Sequence, residues 1–176
     1  MDFGFTPEQE ALRREVRVFI AEHMTPEVLA EMEGLSEGFG VSRSPGRGPR
    51  VNELFNKIAE RGWLGINYPK EYGGQGRDRL TQYIVEEEFA RVNIAVGLAG
   101  SGAPAILAAG TEEQKRYYIP KLISGEFSFA LGFTEPQAGT DLASLQCRAV
   151  RDGDDYVING QKMYTSAAHS ATHVYL

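Results

Sequence analysis

Apolar residues recur at helical spacing up to about residue 125 and alternate thereafter, so the chain changes its period once. Thr6-Pro-Glu-Gln9 predicts a helix start, with Thr6 as cap, Pro7 at the first helical position and Gln9 completing a capping box. Leu12, Val16, Phe19 and Ile20 follow on one face. A second apolar stripe, Leu54, Phe55, Ile58 and Ala59, runs from Val51 to near Gly62. Trp63 to Gly76 is a loop of turn formers and aromatics. Arg79 to Val92 is expected to be helical, with Leu80, Tyr83 and Ile84 inward and Glu86, Glu87 and Glu88 partly solvated. Ile94 to Ala109 is built from small apolar residues, which suits the centre of a helical bundle. Thr111-Glu-Glu-Gln114 is a second capping box, and its helix should stop near Ser124-Gly125.

Beyond Gly125, Phe127, Phe129 and Leu131 alternate with small or polar residues, as do Leu145, Cys147 and Ala149. Asp152-Gly153 and Asn159-Gly160 are hairpin signals. The expected fold class is therefore α+β. An all-α helical bundle over 1–126 is followed by a partial antiparallel β domain over 127–176, with three or four strands all running antiparallel. The last strand, His173-Val-Tyr-Leu176, has no successor, so this β domain is expected to be incomplete. Residues 34–50, rich in Gly, Pro and Ser, read as a mobile surface linker; the alternative is a loop ordered by a partner.

Composition narrows the function classes. A hydrophobic content of 42% allows a real core. A net charge of −6 argues against nucleic acid or an anionic membrane as main partner. No apolar run approaches the ~20 residues that span a bilayer, and the N-terminus shows no secretory signal. One Cys excludes an internal disulfide and fits a reducing, cytoplasmic setting.

Candidate chemistry concentrates in Phe129-Ala-Leu-Gly-Phe-Thr-Glu-Pro-Gln-Ala-Gly-Thr-Asp141 and Asn159-Gly-Gln-Lys-Met-Tyr-Thr-Ser166. Pro136 fixes φ. Gly139 permits a positive φ and a close ligand, and Thr140 sets a hydroxyl beside that backbone, an arrangement that can hold phosphate oxygens. Tyr164 and Ser166, two residues apart, are expected on one face of a strand, across from Thr134. Two hydroxyls and a ring suit a flat polar ring system. The plainer readings are a strand-end turn closed by Asp141 and a solvated Tyr–Ser face. Spacing alone does not decide between them.

Residues Thr134-Glu-Pro-Gln-Ala-Gly-Thr-Asp141, Asn159-Gly-Gln-Lys162, Tyr164 and Ser166 resemble, in order, the motifs of FAD-dependent acyl-CoA dehydrogenases. Tyr68-Pro-Lys-Glu-Tyr-Gly-Gly-Gln-Gly76 and Gly110-Thr-Glu-Glu-Gln-Lys115 look like the family's inter-helix loop and its last helix start before the β domain. The resemblance covers nearly the whole chain and implies the N-terminal helical domain and the first part of the middle β domain. It implies FAD held by Leu131, Phe133, Thr134, Gly139, Thr140, Tyr164, Thr165 and Ser166. Thr134 would bond the flavin ring, Thr140 the pyrophosphate while bordering the acyl-CoA channel, Tyr164 would cover the ring, and Ser166 would lie near flavin N5. Tyr164 stands where Trp is commonest, Thr140 and Ser166 exchange Ser and Thr, Gln137 replaces a frequent Gly, and Leu131 a frequent aromatic.

The implied reaction removes a proton from the α-carbon of an acyl-CoA thioester and passes hydride from the β-carbon to flavin, in an oligomer, with electron-transfer flavoprotein or a similar acceptor. The proton needs a carboxylate base, which in the family lies in a carboxy-terminal helical domain. No residue here matches it, so no catalytic residue is assigned. The chain is expected to be truncated and inactive alone. Two alternatives stay open. One is a non-catalytic assembly subunit. The other is a nicotinamide-dependent enzyme built on Gly100-Ser-Gly-Ala-Pro-Ala105, which lacks the βαβ context that fingerprint needs. His169 and His173 make a poor metal pair, and no metal ligand is assigned. Cys147 reads as a core residue. His23 suits a helix C-terminus.

Overall fold

A computed structural model describes residues 4–33, 48–98 and 102–176. The expected linker falls mostly outside the described residues. Helix α1, Pro7–His23, opens with the Thr6–Gln9 capping box and buries Val16 and Phe19. Helix α2 is Pro26–Glu33, and α3, Pro49–Glu60, buries Val51, Leu54, Phe55 and Ile58. Two 3₁₀ turns, Trp63–Gly65 and Lys70–Tyr72, fold the aromatic loop inward, so that Trp63, Tyr68 and Tyr72 are all buried. Phe19, Trp63 and Phe89 meet edge-on at 5.1–6.0 Å and centre the first core. A second core joins Tyr68 and Tyr72 to Ile119, Leu122 and Ile123.

Helix α4, Arg79–Ala90, turns a different face inward than expected. Thr81, Ile84, Val85, Glu88 and Phe89 are buried, whereas Leu80 and Tyr83 are about half exposed. Glu88, only 2% exposed, is tolerated inside because cations enclose it. Arg17 donates twice to it at 2.8 Å, and Arg13 Nε stands 3.2 Å away, out of hydrogen-bond alignment. The Arg17 bonds hold the Glu88 carboxyl below its usual range. Helix α5 is short, Ala103–Ala109, so only the end of the small-residue stretch is helical among the described residues. Helix α6, Glu112–Ser124, carries the second capping box and ends on Gly125 at φ 74°.

The strands depart from the all-antiparallel expectation. Strand β1, Phe129–Leu131, pairs parallel with β4, His173–Tyr175. Parallel neighbours need a long crossover, and everything from residue 132 to 172 lies between them. Among the described residues only β2, Arg148–Asp152, and β3, Asp155–Asn159, form an antiparallel hairpin, turning at Gly153 with φ 63°. Asn159-Gly160 is no hairpin turn. Gly160 passes Cys147 so closely that a Cβ would stand 2.7 Å from it, so a glycine is needed there for approach. The alternation of Leu145 and Cys147, both half-buried, does not continue into β2, all of whose residues are exposed.

Candidate functional site

The loop after β1 begins with Gly132 N–H donating to Tyr175 O at 2.8 Å. Next comes a tight turn, Glu135-Pro136-Gln137-Ala138, closed by Glu135 N to Ala138 O at 2.8 Å and Ala138 N to Glu135 O at 3.1 Å. Pro136 sits where a turn favours its fixed φ. Ala138 and Glu135 are buried, so the turn is folded onto the protein.

What holds it there is the Glu135 carboxylate. Oε1 accepts from Cys147 N and Lys162 Nζ, both at 2.8 Å. Oε2 accepts from Gln146 N at 2.7 Å and Gln137 Nε2 at 2.6 Å. The Lys162 bond foremost, with the main-chain donors, brings the Glu135 pKa down to about 2. Lys162 Nζ also donates to Phe133 O at 3.0 Å, and Met163 N to Thr134 O at 2.8 Å. Residues 133–135 are thereby tied to 146–147 and to 162–163.

These bonds consume the carbonyls of Phe133 and Thr134 and leave their N–H groups without an acceptor among the described residues. The N–H groups of Gly139 and Thr140, and the hydroxyls of Thr134, Thr140 and Ser166, are also unpartnered there. A Cβ placed on Gly139 would meet nothing within 4 Å, so the backbone is open to a ligand. Gly139 is not among the positive-φ glycines, which corrects the expectation of a left-handed residue; the close approach stands without it. Tyr164 and Ser166 do not lie on a strand. Tyr164 takes φ 55° and Ala167 φ 59°, curling residues 164–167 into a loop, and the Tyr164 side chain is 84% exposed. A strand was expected because the Tyr-x-Ser spacing has period two; the two left-handed residues break it.

The structure thus joins Leu131, Phe133 and Thr134 to the segment carrying Tyr164, Thr165 and Ser166, with Gly139 and Thr140 at the far side of the turn. No hydrogen bond joins Thr140 to residues 164–166 among the described residues. Sequence reasoning passed over Glu135 and Lys162. Both lay inside the quoted motifs, but nothing in their spacing of 27 residues marked them as partners. His173 stacks on Phe129 at 5.1 Å, and no metal-holding cluster occurs among the described residues. A groove of about 420 Å³ beside α4 and α5 is lined by Tyr68, Arg79 and Leu107, and none of the candidate ligand residues lines it. No described helix is long and apolar enough to cross a membrane. Chemically, the loop offers hydrogen-bond donors, and no basic side chain, to a ligand rich in acceptors.

Comparison with known proteins bears on the two domains. The family "Acyl-CoA dehydrogenase, N-terminal domain" matches residues 6–126, and "Acyl-CoA dehydrogenase, middle domain" matches 130–176. The acyl-CoA dehydrogenase FadE26 of Mycobacterium tuberculosis is 44% identical over 178 residues, covering 100% of this chain and 43% of its own length. The ChsE4-ChsE5 complex from Mycobacterium tuberculosis superposes with a TM-score of 0.83 at 44% identity, covering 100% of this chain and 43% of that one. The Tcur3481-Tcur3483 steroid ACAD gives 0.80 at 40% identity, over 100% and 44%. This chain therefore spans less than half the length of these relatives. Members of the family use FAD. With two family domains matched end to end and the fold shared, the chain belongs to the acyl-CoA dehydrogenase family.

Proposed function

We propose that this chain forms the flavin-holding part of an acyl-CoA dehydrogenase that introduces an α,β double bond into an acyl-CoA thioester. The supporting observation is the set of unpartnered donors at Phe133, Thr134, Gly139, Thr140 and Ser166 around an open backbone. Such donors fit an isoalloxazine edge and a pyrophosphate. When bound, FAD supplies the hydride acceptor. The chain's own residues bind and orient. Leu131, Phe133 and Thr134 would hold the ring, with Thr134 as a donor to it. Gly139 and Thr140 would hold the pyrophosphate, with Thr140 at the border of the acyl-CoA channel. Tyr164, Thr165 and Ser166 would complete the flavin site.

The α-proton requires a base with a pKa near the working pH. The buried carboxylates among the described residues are Glu88 and Glu135, and both are held ionised by cations. A carboxylate with a pKa of about 2 and four donors upon it is a poor base. Neither buried carboxylate suits that task, and we place the base, as the family resemblance implies, in sequence or a subunit outside these 176 residues. The division into a helical domain to 126 and a β domain from 127, a cytoplasmic setting and a flavoprotein electron acceptor are parts of the same reading.

Flavin fluorescence during FAD titration tests it, first with the chain alone and then with a partner that supplies the rest of the site. The expected results are weak saturable binding alone, tighter binding when completed, and dye reduction by acyl-CoA only in the completed enzyme. A steroid-CoA is the first thioester to try, given the likeness to a steroid ACAD. Absence of saturable FAD binding in both preparations would end the proposal.

A further inference from the structure

We infer that Glu135 and Lys162 act as a latch that aims the main-chain donor of Thr134 at the flavin, which makes them positioning residues for the proposed site. The inference rests on the flavin-holding reading. Its own basis is geometric. Lys162 Nζ donates to Phe133 O at 3.0 Å and to Glu135 Oε1 at 2.8 Å, so one ammonium grips both the loop backbone and the carboxylate two residues on. Met163 N–H takes Thr134 O at 2.8 Å. In a planar trans peptide the C=O and the N–H of one unit point opposite ways, so the grip on Phe133 O turns the Thr134 N–H away from Lys162. Glu135 fixes the far end of the grip. Its remaining bonds to Gln146 N, Cys147 N and Gln137 Nε2 leave it no freedom to rotate. Both side chains are shielded from water, at 2% and 13% exposure, so solvent screens the pair weakly.

A plain fold-stabilising pair would join two elements of a core. This pair joins three loop segments, 133–137, 146–147 and 162–163, none in a helix or sheet except at its margin. It sits in a region whose buried apolar residues are only Ala130 and Ala138. Loops so poorly packed hold a ligand geometry only when polar bonds fix them.

The test uses the full chain with the partner that completes its site. Lys162→Met and Lys162→Arg are compared with wild type and with Lys121→Met, which breaks a surface pair to Glu126 of 2.9 Å in the helical region. The readouts are circular dichroism of the apo form, the FAD dissociation constant, and the visible spectrum of bound flavin. Lys162→Met is expected to keep its helical signal, bind FAD about tenfold or more weakly, and shift the flavin spectrum; Lys121→Met should match wild type. Lys162→Arg keeps the charge but offers a planar fork in place of an ammonium, so it should fold, bind with intermediate affinity and show an altered spectrum. Wild-type affinity and spectrum in a folded Lys162→Met, or in Lys162→Arg should the first not fold, would overturn the latch. Failure of wild type itself to bind FAD would instead strike the functional reading.

Discussion

Tyr164 holds φ at 55° with its ring almost wholly in solvent. A bulky residue in the left-handed region costs roughly 1 kcal/mol or more and persists where function favours it. Asn tolerates that region far better. Tyr164→Asn is therefore expected to leave apo stability equal or slightly higher, while weakening FAD binding through loss of the ring. Thermal melts and FAD titration on the same preparation check both halves; a variant that loses stability but keeps FAD affinity would remove Tyr164 from the site. Glu135 carries a pH signature. Its folded pKa of about 2 lies below the ordinary 4.5, so its contribution is complete above about pH 4.5 and lost as pH falls toward 2. Glu135→Gln should be less stable than wild type at pH 6, with the gap narrowing below pH 4.5, as urea melts across that range would show. Thr134, Gly139, Thr140, Tyr164 and Ser166, which we propose as a ligand set, stand out in the sequence because whole motifs carry them. The Glu135–Lys162 pair does not, because a contact across 27 residues exists only once the crossover has folded.

At the scale of elements, the helix caps were fully readable, whereas Asn159-Gly160 gave a hairpin signal that the fold does not use. Both capping boxes form, with Gln114 N donating to Thr111 Oγ1 at 3.2 Å and Thr111 N to Gln114 Oε1 at 2.9 Å. Thr111→Ala removes that cap from the helix that buries Ile119, Leu122 and Ile123, and should cost about 1 kcal/mol in a urea melt. An unchanged midpoint would mean that α6 is held by its packing alone. The inward face of α4 was misread because Glu88 looked like a solvent residue; only the arginines of α1 and Arg91 make its burial tolerable. Ile84→Ala should then cost about 2–5 kcal/mol. Leu80→Ser and Tyr83→Ser should stay within about 0.5 kcal/mol, the reverse of what the apolar pattern of α4 suggests. The parallel pairing of β1 with β4 was equally out of reach, since alternation reports that a strand exists and says nothing of its neighbour's direction.

Over the whole molecule, burial is uneven, and that sets where the chain opens. Two apolar clusters knit the helices, with Val16, Val51, Phe55, Phe89 and Ile119 at 1% exposure or less. From residue 127 onward, Ala130, Glu135 and Ala138 are the buried residues outside glycine, and every residue of β2 and β3 is exposed. A lone two-stranded hairpin is marginal in water, and Val150, Tyr156, Val157 and Ile158 lie open on its two faces. Native-state hydrogen exchange of this chain should therefore find residues 148–159 near the unprotected limit, while α1, α3 and α4 exchange only through global unfolding. The loop at 133–138 should lie between, protected by the bonds of Glu135 and Lys162. The relatives this chain matches are more than twice as long; in a completed enzyme, further chain packed on Val150, Tyr156, Val157 and Ile158 would raise the protection of the hairpin. Hairpin amides in this chain protected as strongly as those of α4 would show that β2 and β3 already have a packing partner within these residues, and the division of labour between a stable helical body and a dependent β region would fall.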